Sequence, residues 1–159
     1  WSLVGMFKIK GGHVMAIGDE RLRVLEQFMA GGDLVRGFES QGFGPRDAVT
    51  GDAIGGRLFF GTTAEVNFPL FGLPPELGLS GALFADAGSL WDADSGLVNL
   101  VNANGSSVRS NDFDLRASAG MGIRWRSPFG PIKADFAWPF MKENADRTQM
   151  FRLSGGTRF

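Results

Sequence analysis

Arg57-Leu-Phe-Phe-Gly-Thr-Thr-Ala-Glu-Val-Asn-Phe68 is the stretch on which the fold turns. Leu58, Phe60, Thr62, Ala64, Val66 and Phe68 alternate with Arg57, Phe59, Gly61, Thr63, Glu65 and Asn67. Successive side chains of a β-strand point to opposite faces, so this order makes one face fit for hydrocarbon and one more polar face. Four other segments repeat the pattern. In 79–89 the outward set is Leu79, Gly81, Leu83, Ala85 and Ala87, with Asp86 among the inward residues. In 115–126 it is Leu115, Ala117, Ala119, Met121, Ile123 and Trp125, opposite Arg116, Ser118, Gly120, Gly122, Arg124 and Arg126. Ile132, Ala134, Phe136, Trp138 and Phe140 continue it, and Phe151, Leu153, Gly155, Thr157 and Phe159 end it. A less regular strand is expected at 3–17, where Leu3, Phe7 and Ile9 alternate with Lys8 and Lys10. Gly11-Gly12 interrupts that run and predicts a bulge or kink.

The pattern predicts strands at about 3–17, 56–69, 78–90, 113–127, 131–140 and 149–159. A soluble β-sandwich would alternate too, but the spacing of these strands separates the two cases. Their connections run long (18–55), short (69–78), long (91–112), short (127–131) and medium (141–149). Transmembrane barrels place short turns on the periplasmic side and longer loops outside. The short turns hold Pro and Gly where tight turns require them. Phe68, Phe71, Trp125, Phe129 and Phe159 are expected at the periplasmic rim, and Trp91, Trp138, Phe140 and Phe151 nearer the other. One segment departs from period two. Leu22, Leu25, Phe28 and Met29 have helical spacing within 19–29, ahead of Gly31-Gly32, so a short helix or a non-helical loop entry is expected there.

Composition excludes several alternatives. Hydrophobic residues make up 43% of the chain, yet none of their runs reaches the ~20 residues that a transmembrane helix needs. The 24 glycines suit a turn-rich β protein better than a helical bundle. With no cysteine, disulfide frameworks and Cys-based metal or redox sites are excluded. A formal charge of −1 offers no basic field for nucleic acid. No charged n-region with an apolar h-region opens the chain, as expected of a segment from inside a longer, already targeted precursor.

Glu26-Gln-Phe-Met-Ala-Gly-Gly-Asp-Leu-Val-Arg-Gly-Phe38 resembles the long extracellular loop of the BamA-like family of barrel-assembly proteins, the bacterial surface antigen or POTRA-barrel superfamily. The resemblance continues in Gly42-Phe-Gly-Pro-Arg-Asp47, Gly51-Asp-Ala-Ile-Gly-Gly56 and Phe84-Ala-Asp-Ala-Gly88. It ends in Ser118-Ala-Gly-Met-Gly-Ile-Arg-Trp-Arg-Ser-Pro-Phe-Gly-Pro-Ile-Lys133. Five blocks in order make it specific, although the chain has no Tyr and must build its aromatic girdles from Phe and Trp.

The resemblance implies an all-β, antiparallel transmembrane barrel of sixteen strands. Residues 1–159 would then be part of one barrel domain, its strands eleven to sixteen, with the POTRA domains and the N-terminal strands missing. It also implies a Gram-negative outer-membrane location, and a non-enzymatic role in inserting and folding client outer-membrane proteins at a weak seam between first and last strands. Partners would be outer-membrane lipid, unfolded clients and accessory assembly lipoproteins; no cofactor and no metal is implied. Related translocation and secretion pores share the loop motif, and a passive porin or an outer-membrane hydrolase is the alternative from another class. The smallest single-chain bacterial barrels have eight strands, so six are not expected to close by themselves, and an oligomer or aggregate is expected of the isolated segment.

In the family the loop, 18–55 here, folds into the lumen and its Arg meets acids on the wall. Val35, Arg36, Gly37 and Phe38 match that motif, and Glu65 and Asp86 lie on the inward parity of neighbouring strands. A guanidinium in a confined lumen needs carboxylates; in a wet lumen the same three residues would be solvated charges. Phe151, Leu153, Gly155, Gly156, Thr157 and Phe159 resemble the C-terminal β-signal read by strand addition, and also read as a final lipid-facing strand. Gly155-Gly156 would weaken its pairing, as a seam requires. His13 stands alone with no nucleophile motif. Asp92, Asp94, Asp112 and Asp114 flank the 91–112 loop and read as solvated acids or a divalent-ion site, though without an EF-hand pattern.

Overall fold

Among the described residues, the segments in which apolar and polar residues alternate over several turns of the pleat form strands. In a computed structural model of the chain, which describes residues 3–15 and 27–155, the long strands are β1 (Val4–His13), β3 (Leu58–Pro69), β4 (Leu79–Trp91), β6 (Arg116–Ser127), β7 (Gly130–Met141) and β8 (Phe151–Gly155). They form a six-stranded sheet in the order β1-β3-β4-β6-β7-β8, with every neighbour antiparallel. The sheet is open, and β1 and β8 are its outer strands. Two short strands, β2 (Arg46–Asp47) and β5 (Val108–Arg109), pair separately and join the long loop to the 91–115 connection. Among the described residues no helix is long and apolar enough to cross a membrane.

The two faces of the sheet differ as the alternation requires. Val66, Leu83, Met121, Ile123, Trp138, Phe151 and Leu153 are exposed on one face, while Glu65, Ala82, Phe84, Asp86, Ser118 and Asp135 are buried on the other. A continuous apolar face of this extent is an aggregation liability in water and is what a bilayer-facing wall needs. Ala117 and Gly81 depart from this, Ala117 being buried where the β6–β7 register shifts and Gly81 beneath the Phe68 ring. The loop covers the part of the inner face formed by β3, β4 and β7 around Leu90, Glu65, Asp86 and Ala137. Ala30, Val35, Phe38 and Phe43 from the loop and Leu90 from β4 form the buried core, with Phe28, Leu34 and Phe59 packed against it. Each such large side chain removed from water contributes roughly 1.5–3 kcal/mol.

The structure corrects the sequence reading at three places and decides between its alternatives at a fourth. β1 pairs with β3 without interruption through Gly11 and Gly12, so the predicted bulge is absent. The glycines make room instead. A Cβ at Gly12 would collide with the Phe59 ring and lie 3.2 Å from the Phe28 ring. β1 stops at His13 and leaves out Val14 and Met15, while residues 16–17 of the expected strand lie outside the described residues. Of the segment 19–29, expected as a short helix or a non-helical loop entry, residues 19–26 lie outside the described residues, while Phe28 forms an antiparallel bridge with Gly56, so that end of the segment is a non-helical entry. Finally, the 91–112 connection contains a helix the reading missed, α1 (Ser95–Ala103), whose N-terminus is capped by Asp94 accepting a 2.9 Å hydrogen bond from the Gly96 N–H.

The short connections are built as their Pro and Gly content dictates. Between β3 and β4 a 3-10 turn, Pro75–Leu77, is closed by Gly78 at φ +70°. Between β6 and β7 only Pro128 and Phe129 separate the paired residues Ser127 and Gly130, and the Ser127 hydroxyl donates a 2.5 Å hydrogen bond to the Gly130 carbonyl.

Candidate functional site

The loop is folded back on itself before it meets the wall. Bridges between Phe28 and Gly56 and between Ala30 and Phe43 draw its arms together. At its tip the Asp33 carboxylate accepts from the Gly31 N–H (3.1 Å), and the Leu34 and Val35 N–H groups both donate to the Gly31 carbonyl at 2.9 Å. Val35 and Phe38 then point into the core, fully buried, with the Phe38 and Phe43 rings edge to face at 5.1 Å. Gly37 turns at φ +101°, where a Cβ would lie 3.3 Å from Pro139 and 3.4 Å from the Ala137 Cβ on β7. Anchoring on both sides of Arg36 leaves that side chain one direction, onto the inner faces of β3 and β4.

There it meets both predicted acids. Arg36 Nε and Nη2 donate to Asp86 Oδ2 and Oδ1 at 2.7 and 2.9 Å, and the Arg36 backbone N–H adds a third bond to Oδ2 at 3.0 Å. Nη1 donates to Glu65 Oε2 at 2.7 Å. The guanidinium carbon also lies over the Phe84 ring, 3.6 Å from its centroid, a cation–π contact. The side chains are 17% (Arg36), 8% (Glu65) and 2% (Asp86) exposed, so this is a largely desolvated site where charge-assisted, bidentate contacts count for more than at a surface. Burial lowers the Arg36 pKa, but the bonds and charges of Asp86 and Glu65 outweigh it and hold the guanidinium above its ordinary value.

The network continues beyond the residues the sequence singled out. Glu65 Oε1 accepts from Arg124 Nη2 on β6 (3.2 Å), and Arg124 Nη1 donates to Asp135 Oδ1 on β7 (2.5 Å). Charges therefore alternate along Asp86, Arg36, Glu65, Arg124 and Asp135, across four consecutive strands of the sheet. The glycines of β6 serve this array. A Cβ at Gly120 would come 2.7 Å from the Phe84 ring that carries Arg36, and one at Gly122 would come 2.6 Å from Arg124 Nη1.

A second ion pair frames the loop from the side. Arg116 donates to the Asp146 carboxylate through Nε (3.0 Å) and Nη2 (3.2 Å), and both side chains are wholly buried. This pins the 142–149 connection, which in turn bonds the loop tip. The Glu39 N–H donates to the Arg147 carbonyl, the Arg147 N–H to Gly42 and the Gln149 N–H to Gly37, at 3.0, 2.7 and 2.9 Å. Arg46, also buried, donates to the carbonyls of Gln41 and Gly51. Burial and the nearby positive charge of Arg147 lower its pKa.

The other candidates fall elsewhere. Phe151, Leu153 and Gly155 lie on β8, paired with Phe136, Ala134 and Ile132 of β7; Gly156, Thr157 and Phe159 lie outside the described residues. Of the rim aromatics, Phe71 and Phe129 are exposed beside the short turns, and Trp91 packs edge to face on Phe113 at 4.8 Å. His13 ends β1, opposite Leu58. Asp92 pairs with Arg57 at 2.8 Å and Asp94 caps α1. Among the described residues no three His, Cys, Asp or Glu side chains are placed to hold a metal ion.

An antiparallel sheet with an apolar outer face, joined by short turns and longer loops, and with one loop clamped on its charged inner face, is the wall of a transmembrane β-barrel. The chain matches the Omp85 superfamily domain over residues 1–159, and it belongs to that superfamily. It is similar to the "Outer membrane protein assembly factor BamA" of Neorickettsia risticii, at 32% identity over 91% of this chain and 18% of the relative. The protein of that name from Neisseria meningitidis is 33% identical over 99% of this chain and 21% of the relative. The chain thus spans about a fifth of the length of these curated relatives. Among solved structures it resembles BamA from Haemophilus ducreyi lacking POTRA domains 1–3. The TM-score is 0.79 at 22% identity, over 95% of this chain and 30% of that one, a likeness of fold.

Proposed function

We propose that the chain forms the C-terminal part of the barrel, strands eleven to sixteen of sixteen, in an outer-membrane protein assembly factor, and that its inward loop acts as an internal clamp. The chain lies in the outer membrane of a Gram-negative cell, with its exposed apolar face towards lipid. The observation that carries the proposal is the fork of Arg36 on Asp86 and Glu65, which fastens a loop of some forty residues to two adjacent strands. The curated relatives, named as assembly factors, support the role. The role is non-enzymatic. The loop stiffens one part of the wall so that movement is confined to the seam between first and last strands, where client strands add to an open edge. β8 and the residues after it are the last-strand side of that seam, and Phe151, Leu153 and Phe159 are its side-chain signal. Unfolded outer-membrane proteins are the clients, and accessory lipoproteins and POTRA domains complete the machine.

The test uses the full-length parent in its own bacterium, with Arg36→Ala replacing the wild-type copy. Folded, heat-modifiable forms of several unrelated outer-membrane proteins are quantified. A broad fall at normal levels of the variant is expected. Unchanged clients with a well-folded variant would remove the clamp from the mechanism and shift weight to a translocation or secretion pore. A steady conductance of the wild-type parent in planar bilayers would favour a porin.

A further inference from the structure

We propose that Arg124 is a second positioning cation of the clamp: it holds the Glu65 carboxylate in place for Arg36 and ties the clamp to β7 through Asp135. The proposal rests on the reading that Arg36 locks the loop. Glu65 divides its two oxygens, Oε2 to Arg36 at 2.7 Å and Oε1 to Arg124 at 3.2 Å. Its side chain is 8% exposed, so without Arg124 one oxygen would stay desolvated and unpaired, and the carboxylate would turn away from Arg36 to recover water. Asp86 needs no such help, because Arg36 meets it with two side-chain nitrogens and a backbone N–H. The Glu65 half of the clamp is therefore the half that Arg124 decides.

The local sequence is arranged for this reach. Arg124 is on β6 and Glu65 on β3, with β4 between them. The row midway between the two holds Asn67, Ala82 and Gly122, and the inward residue of β4 in that row is the small, buried Ala82. At Gly122 a Cβ would crowd both Arg124 Nη1 and Asp135 Oδ1. Asp135 in turn offsets the second guanidinium, so that the wall does not carry an unbalanced cation next to Arg36. An ordinary cross-strand ion pair between β6 and β7 would need neither the reach over β4 nor the shared Glu65.

The experiment measures hydrogen exchange of residues 31–43 in the full-length parent in lipid nanodiscs. Wild type is compared with Arg124→Gln, Arg36→Ala and the double variant. Arg124→Gln is expected to speed exchange of this segment about tenfold, the scale of one lost charge-assisted hydrogen bond. On the Arg36→Ala background the same change should add nothing, because the contact it positions is already gone. An unchanged rate in Arg124→Gln overturns the proposal. An equal, additive acceleration on the Arg36→Ala background also overturns it, since it would assign Arg124 to wall packing alone. Should Arg124→Gln fail to fold, Arg124→Lys takes its place. A lysine keeps the charge but lacks the rigid fork that holds Glu65 and Asp135 apart at fixed angles, so a smaller acceleration is expected and an unchanged rate again overturns the idea. Client assembly is not the readout, so failure here leaves the assembly role standing. Arg36→Ala with unchanged exchange would instead remove the clamp itself.

Discussion

Asp146→Ala tests how the loop is held from the side. The Asp146 and Arg116 side chains are both wholly buried, and two hydrogen bonds of 3.0 and 3.2 Å join them. Removing the carboxylate leaves Arg116 with the Asp114 carbonyl at 2.7 Å and the Phe43 ring at 5.4 Å, neither of which neutralises its charge. A buried charge deprived of its partner costs about 3–5 kcal/mol. At 1.4 kcal/mol per decade, the opening equilibrium of this region should rise by about 2 to 3.5 decades. The effect should appear at two places together. Residues 142–149 carry three backbone hydrogen bonds to Gly37, Glu39 and Gly42, so the connection and the loop tip should lose protection as a unit. Hydrogen exchange by mass spectrometry on the full-length parent in nanodiscs resolves both segments. The apolar replacement of the whole pair, Arg116→Met with Asp146→Leu, should come back to within roughly 1 kcal/mol of wild type, because neither charge then has to be desolvated. Unchanged protection in Asp146→Ala would refute the reasoning, as would a double variant no better than the single one.

Gly37→Ala should weaken loop docking by about 1–3 kcal/mol, because φ is +101° and the new methyl meets Pro139 and Ala137 at 3.3–3.4 Å; protease sensitivity of residues 31–43 reads it out. Gly105→Ala also has a positive φ but opens onto empty space, and serves as the control that should leave the loop seated. The β2–β5 contact should depend on pH through Asp47. The Ser106 hydroxyl, then the Thr50 and Val49 N–H groups, hold its carboxyl below the usual carboxylate range. A depressed folded-state pKa gives a contribution that is present above the ordinary value and lost as pH falls through the lowered one. The protection factor of the Ala48 N–H, which donates to Ser107 at 2.8 Å, should therefore fall only in acid, and Ser106→Ala should move that fall to higher pH. An acid limb that does not move would count against the Ser106 bond as the cause.

The sheet was legible because its signal is geometric. Alternation assigns every residue of a strand to one face or the other, and lipid outside with a charged loop inside makes the two faces chemically different. Strand positions, the inward parity of Glu65 and Asp86, and the spacing of the connections all follow from that contrast. Gly11 and Gly12 misled for a physical reason. A glycine pair in a strand signals either a bulge or room for a neighbour, and only the position of the Phe59 ring, set by the pairing of β1 with β3, decides between them. Helix α1 carries a local sign, Asp94 ahead of Leu97, Val98 and Val101, but a cap residue flanked by other acids is also what a solvated loop presents.

Charges on the lumen wall were visible one by one and not as an array. Parity places Arg124 and Asp135 on the inner face together with Glu65, yet it says nothing about height along the wall, and ion pairing is decided by height. Register supplies what parity lacks. Glu65 stands opposite Phe84, and Arg124 opposite Ser80, four residues away along β4, so they meet only because an arginine is long and the row between them is filled by Ala82 and Gly122. The small residues thus carry as much of the design as the charged ones. Asp146 was beyond any such argument, since it sits in a connection with no periodicity and reaches Arg116 only when the 142–149 segment folds back. The same logic links the two ends of the site. Asp135 and the Ala137 that Gly37 approaches both lie on β7, the strand hydrogen-bonded to β8, so the loop and the last strand share a single support. Loosening the loop therefore loosens the neighbour of the strand at which the seam is proposed to open.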